Sequence, residues 1–181
     1  MASNSTLTAV NGSVVNWSSG TISSGGSLTV ASNAVVNWAN GSIDGAVTIN
    51  TGGALNITNN TTYYFQGTLT NHGTVTWSAG NLYGYSSAVV HNAGLWDARS
   101  DNSMVAGGPT PQFINAGTLR KSGAAGTTTI GWAFSTPGTI DQQTGALSIN
   151  WSGANTLRQT FTGPISLNNG ATLTLSSNVT L

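Results

Sequence analysis

Cysteine and glutamate are absent from this 181-residue chain, and charge of either sign is nearly so: four Lys or Arg stand against four Asp, for a formal net charge of zero. Without cysteine, neither disulfides nor thiolate-bound metal can staple the fold, and cysteine usage does not fix the compartment. Charged residues make up 4% of the chain, against about one quarter in an average protein. That leaves nothing to steer nucleic acid, anionic lipid or acidic substrates, and it excludes a basic groove-binder. No apolar run is long enough for a transmembrane helix, and Met1-Ala2-Ser3-Asn4 lacks the basic and apolar regions of a signal peptide. Either the protein is intracellular or its signal has been removed. The chain still reads as strand at Ser177-Asn178-Val179-Thr180-Leu181, so a piece of a longer protein is expected.

Gly, Asn, Ser and Thr fill about half the sequence, a composition that disfavours helices and suits turns and strands. Polar, Gly-rich chains are often disordered because they cannot bury enough apolar surface to offset chain entropy. Period-2 alternation argues otherwise. Ser27-Leu28-Thr29-Val30, Ala46-Val47-Thr48-Ile49 and Thr172-Leu173-Thr174-Leu175 read as half-buried strands. Six Trp, four Tyr and four Phe supply core volume.

The sequence repeats itself. A turn recurs at nearly constant spacing as Asn50-Thr51-Gly52, Asn71-His72-Gly73, Asn92-Ala93-Gly94, Asn115-Ala116-Gly117 and Thr136-Pro137-Gly138, with a more irregular span before Asn168-Asn169-Gly170. Asn tolerates the left-handed region and Gly takes positive φ, so these residues suit corners between strands. A second pattern, W-x-x-G-x-[IL], occurs at Trp17, Trp38 and Trp77. A fixed period near twenty with short strands and Gly/Asn corners predicts an all-β β-solenoid, expected as a right-handed parallel β-helix with coils of about 21 residues. A β-sandwich would explain the strand spacing but not the phase-locked turns and Trp. Residues 1–10 are expected as an N-terminal edge segment and 11–181 as one solenoid domain.

Stacked in register, the coils would place Val15, Val36, Leu55, Val75, Trp96, Leu119 and Ile140 in one inward row. Asn16, Asn37, Asn56, Thr76, Asp97, Arg120 and Asp141 would form the adjacent outward row. Three Asn there can form an amide ladder, and Asp97, Arg120 and Asp141 alternate in sign as a surface ladder. The first three coils need one more residue between turn and row than the later ones.

Val36-Asn37-Trp38-Ala39-Asn40-Gly41-Ser42-Ile43, the stretch from Phe113 to Gly123, and Gly145-Ala146-Leu147-Ser148-Ile149 carry a likeness that covers nearly the whole chain. It resembles the repeat regions of bacterial surface proteins, the β-helical passengers of autotransporters and filamentous-haemagglutinin-like adhesins. The resemblance implies a long spacer or adhesive stalk at the cell surface or outside it, with no catalytic residues or cofactor to carry over. Tyr63-Tyr64-Phe65 and the segment Ala106-Gly107-Gly108-Pro109-Thr110-Pro111 depart from it and read as loops inserted into a coil.

Candidate chemistry is sparse. Asp97, Arg99, Asp101, Arg120, Lys121 and Asp141 fall in successive coils, where a polysaccharide-cleaving β-helix would put acid, base and cation; a surface ladder explains half of them more simply. His72 and His91 lie out of line with each other, so no metal site is expected. The row Trp17, Trp38, Ile57, Trp77, Ala98, Lys121, Gln142 should face inward, but with Lys121 and Gln142 in it strict alternation is expected to fail in the later coils. Tyr63, Tyr64, Phe65, Tyr83 and Tyr85 are the preferred ligand-contact patch, for a surface glycan. Aligned Thr, such as Thr68, Thr70, Thr74, Thr118 and Thr139, raise an ice-binding face, broken by Leu95, His91 and Ile114. The first expectation is a non-enzymatic rigid stalk or scaffold that stacks end to end with itself; a carbohydrate-binding or carbohydrate-cleaving β-helix and an ice-binding solenoid are the alternatives.

Overall fold

Short strands of alternating burial, joined by tight corners, wind the chain into a β-solenoid. The computed structural model describes residues 4–85, 88–108 and 110–150, with the strand backbones 159–161, 165–167, 172–176 and 179–180 beyond them. The Asn168-Asn169-Gly170 turn lies outside the described residues. Among the described residues all strands pair in parallel, in three sheets of nine, eight and eight strands. The first sheet holds Thr6–Ala9, Ser27–Val30, Ala46–Ile49, Thr68–Asn71, Val89–Asn92, Gln112–Asn115 and Ala133–Thr136 among its strands. The second holds Val14–Trp17, Val35–Trp38, Ala54–Ile57, Thr74–Trp77, Leu95–Ala98, Thr118–Lys121 and Thr139–Gln142. The third holds Thr21–Ile22, Ser42–Ile43, Thr62–Phe65, Asn81–Gly84, Ser103–Ala106, Thr127–Ile130 and Ala146–Asn150. Thr6–Ala9, inside the expected edge segment, is the outermost strand of the first sheet.

Two rows run along the second sheet. Val15, Val36, Leu55, Val75, Trp96, Leu119 and Ile140 are register partners in succession, as are Asn16, Asn37, Asn56, Thr76, Asp97, Arg120 and Asp141. From Val36 onward the inward row is sealed from solvent. The repeat itself is not strict. On the first sheet the partners run Thr6, Ser27, Ala46, Thr68, Val89 and Gln112, and the coil from Ser27 to Ala46 is shorter, and that from Val89 to Gln112 longer, than the others.

Much of the irregularity sits at one corner. Between the first and second sheets, the first three coils use four residues (10–13, 31–34, 50–53), whereas the later coils use two (72–73, 93–94, 116–117, 137–138). The change moves asparagine into the core. Asn71 is the register partner of Ile49, not of Asn50, and Asn71, Asn92, Asn115 and Thr136 are buried where Val30 and Ile49 stand in earlier coils. Asn71 Nδ2 donates to Asn92 Oδ1 at 2.6 Å, Asn92 Nδ2 to Asn115 Oδ1 at 2.6 Å, and Asn115 Nδ2 to Thr136 Oγ1 at 2.9 Å. Each amide also donates to a carbonyl one coil on, at Leu95, Thr118 and Thr139. A buried amide is costly unless hydrogen-bonded, and the ladder satisfies each of these side chains from coil to coil.

These asparagines are therefore strand residues, not left-handed turn residues, and the glycines after them serve close stacking. Gly73, Gly94, Gly117 and Gly138 lack positive φ, but a Cβ on Gly94 would collide with the carbonyl oxygen of Gly73, one on Gly117 with that of Gly94, and one on Gly138 with that of Gly117. Side-chain-free backbone lets the corners approach as closely as strands do.

Candidate functional site

The row that begins at Trp17 explains the W-x-x-G-x-[IL] pattern. Each indole N–H donates to a carbonyl of its own corner: Trp17 to Ser19 at 3.0 Å, Trp38 to Asn40 at 3.0 Å and Trp77 to Gly80 at 2.8 Å. The chain turns there at Gly20, Gly41 and Gly80 with φ of 106°, 117° and 77°, a region open to Gly at little cost. The final residue of the pattern, Ile22, Ile43 or Leu82, is the next inward side chain on the third sheet.

Lys121 and Gln142 hold the same row position and also face inward, both fully buried. Alternation does not fail in the later coils, contrary to the expectation from polarity. Gln142 Nε2 donates to Gly145 O at 2.8 Å, as Trp77 does to Gly80. Lys121 Nζ has four acceptors around it: Gly123 O at 2.5 Å, Asp101 Oδ1 at 2.8 Å, Ser100 O at 3.2 Å and Ala124 O at 3.3 Å. Ile57 and Ala98 hold the row position in two coils; in the other five from Trp17 to Gln142, Trp, Lys or Gln offers a long stem with a terminal N–H that caps corner carbonyls. No hydrophobicity pattern would reveal it.

Two further ion pairs are local. Arg120 Nε meets Asp141 Oδ2 at 2.8 Å across one coil. Asp97 turns to Arg99, at 2.7 Å, and accepts from Ser122 Oγ at 2.5 Å. Asp97 keeps its outward register but is buried, because Arg99 and Ser122 engage its two oxygens; it is not the exposed member of a sign-alternating ladder. An amide ladder runs beside it in the earlier coils, with Asn37 Nδ2 donating to Asn16 Oδ1 and Asn56 Nδ2 to Asn37 Oδ1, each at 2.9 Å. Among the described residues, no three His, Cys, Asp or Glu converge as metal ligands would.

The aromatic patch divides. Tyr63-Tyr64-Phe65 is not an inserted loop but lies within the strand Thr62–Phe65, so Tyr63 and Phe65 point into the core and only Tyr64 points out. Trp38 packs edge-on against Tyr63 at 4.6 Å and Phe65 at 5.4 Å, and Trp132 packs edge-on against Phe65 at 5.7 Å. Trp132 reaches the space over Gly84, the residue paired with Phe65 in the next coil. Outside, Tyr64 meets Tyr83 at 6.2 Å and Tyr85 at 6.4 Å. The second suspected insertion is partly strand as well: Ser103–Ala106 pairs within the third sheet, and an enlarged corner separates it from Gln112.

An outward threonine row also emerges from the register. Thr8, Thr29, Thr48 and Thr70 are successive partners, followed by His91 and Ile114. In the sequence it is hidden because the coils that carry it differ in length.

Burial of Tyr63 has a consequence at alkaline pH. Burial pushes its phenol above the usual 10.0, against smaller lowering effects of hydrogen bonds to the backbone of Asn59 and Thr58. A raised folded-state value favours the neutral phenol, so its contribution is intact below the unfolded value and is lost as pH rises through the folded one. Stability is expected to decline above about pH 10 in urea titrations. In Tyr63→Phe that component of the decline disappears, for a loss of about 1 kcal/mol at neutral pH.

Comparison with protein-family models, with curated proteins and with solved structures finds no match.

Proposed function

We propose that this chain is a non-enzymatic rod, a rigid stalk or adhesive scaffold of a bacterial surface or secreted protein. The observation that carries the reading is continuous parallel pairing in all three sheets around one filled core. Such a stack transmits load along its axis through inter-coil hydrogen bonds, and its length grows by whole coils. The first coil supports self-association. Among the described residues its strands Thr6–Ala9, Val14–Trp17 and Thr21–Ile22 pair on one side only, and beside them opens an apolar recess of about 230 Å³ lined in part by Leu7, Val15, Trp17, Ile22 and Leu28. Unpaired strand edges over exposed apolar surface are templates for another coil.

Small-angle X-ray scattering with light scattering on the same sample tests this. The expected outcome is an elongated particle whose mass rises with concentration, and a Leu7→Lys variant that stays monomeric. A globular profile would contradict the rod; a strict monomer would contradict end-to-end stacking.

A further inference from the structure

The outer face of the third sheet changes character at one place. Its outward row runs Thr21, Ser42, Tyr64, Tyr83, Val105 by register, so small hydroxyls give way to two tyrosines on adjacent coils. Tyr64 is 43% exposed, the most open aromatic ring among the described residues. Tyr85 lies nearly parallel to Tyr64, at 25°, and widens the platform. Tyr85 occupies the first corner position after its strand. Asp44 and Gln66 occupy that position in the two preceding coils, since Asp44 N donates to Ile22 O, Gln66 N to Ile43 O and Tyr85 N to Phe65 O.

A groove of about 440 Å³ runs beside this corner row, lined by Gly25, Gly26, Asp44, Gly45, Gln66 and Gly67, with other residues. Its floor is bare backbone: a Cβ on Gly45 would strike the carbonyl of Gly26, and one on Gly67 the carbonyl of Gly45. Among the described residues, Asp44 is the one charged residue lining it, and its Oδ1 is shielded and accepts no hydrogen bond from them.

We propose that this corner binds a neutral, β-linked polysaccharide along the solenoid axis, with sugar rings on Tyr64, Tyr83 and Tyr85 and hydroxyls donated to Asp44. Ring faces of tyrosine attract the C–H faces of pyranoses, and equatorially linked β-sugars present those faces flat. Asp44 is itself partly exposed, and a carboxylate oxygen open to solvent takes hydroxyl donors well. With no cation in the groove, anionic glycans gain nothing there. Coils rise by about 4.8 Å, close to the length of one hexopyranose unit in an extended chain, so successive sugars meet successive coils from Asp44 to Tyr85. This site does not depend on the rod being a stalk, which scattering tests separately.

The test is calorimetric titration of the full chain with cellohexaose, with α-linked maltohexaose as comparison. Cellohexaose is expected to bind and maltohexaose to bind more weakly. Tyr64→Ala and Tyr85→Ala are each expected to weaken cellohexaose binding about tenfold, the loss of one stacking contact, and Asp44→Asn to weaken it as well. Thr29→Ala, on the first sheet, leaves it unchanged. Tyr64 is half out of the fold and Tyr85 is a corner residue, so failure of either variant to fold leaves the other to decide. Absence of cellohexaose binding at millimolar concentration, or binding unaffected by the tyrosine variants, would overturn the proposal.

Discussion

Lys121→Ala is expected to lower the free energy of unfolding by about 3–5 kcal/mol, among the largest effects of any single substitution outside the aromatic core. The side chain is fully buried, and its ammonium satisfies carbonyls of Ser100, Gly123 and Ala124 as well as Asp101. Truncation leaves a cavity and takes the ammonium donor from the Gly123 carbonyl, while those of Ser100 and Ala124 keep the hydroxyls of Thr128 and Thr144; the Asp101 carboxylate, 40% exposed, can turn to water. Lys121→Gln is the informative companion. Gln142 performs the corner-capping task one coil on, so glutamine at 121 is expected to recover part of the loss. Arg99→Ala removes a side chain that is 55% exposed but leaves the buried Asp97 carboxylate with only the Ser122 hydroxyl among these two donors, so a smaller loss of about 1–3 kcal/mol is expected. Urea unfolding of the three variants checks the order, and equal losses for Lys121→Ala and Arg99→Ala would contradict it.

Trp38→Ala is expected to cost about 3–5 kcal/mol through lost burial and the cavity left behind. Trp38 touches three aromatic neighbours: it stacks on Trp17 at 5.0 Å with rings 11° apart and meets Tyr63 and Phe65 edge-on. Trp38→Phe keeps much of the volume but leaves the Asn40 carbonyl without its indole donor, so an intermediate loss of about 1–3 kcal/mol is expected. Thermal or urea unfolding of both variants measures the difference. An alanine variant within about 1 kcal/mol of the parent, a threshold set by the scatter of surface substitutions, would show that the row is not core.

The second sheet is legible from sequence because two independent signals agree there. Period-2 alternation fixes which residues face in, and the W-x-x-G corners fix the phase, so the Val15 and Asn16 rows can be written down residue by residue. The third sheet is less legible. Tyr63-Tyr64-Phe65 carries three aromatics in succession and offers no alternation to read, and only the structure shows Tyr63 and Phe65 turned inward. Buried polar residues are hidden for a different reason. Asn71, Asn92 and Asn115 precede glycine at a corner and look like turn residues, while Lys121 looks like surface. Each is satisfied inside by partners that stacking brings to it, the asparagines by one another across coils and Lys121 by corner carbonyls, an arrangement created by tertiary geometry. Of the candidate contact patch, Tyr64, Tyr83 and Tyr85 come together outside. Their relation to Asp44 follows from coil-to-coil register at this corner, from Asp44 to Gln66 and from Gln66 to Tyr85. Those two coils are unequal in length, so no fixed period would align them.

Spin-label distances decide whether the chain extends coil by coil along one axis. The chain has no cysteine of its own, so pairs can be placed freely in the outward row Thr8, Thr29, Thr48, Thr70, His91, Ile114, Ser135. With Thr8→Cys fixed, labels at Thr48→Cys, His91→Cys and Ser135→Cys should lie two, four and six coils away, at about 10, 19 and 29 Å from a rise of about 4.8 Å per coil. A linear increase is the expected result. Distances that level off or shorten toward Ser135 would contradict a solenoid rod.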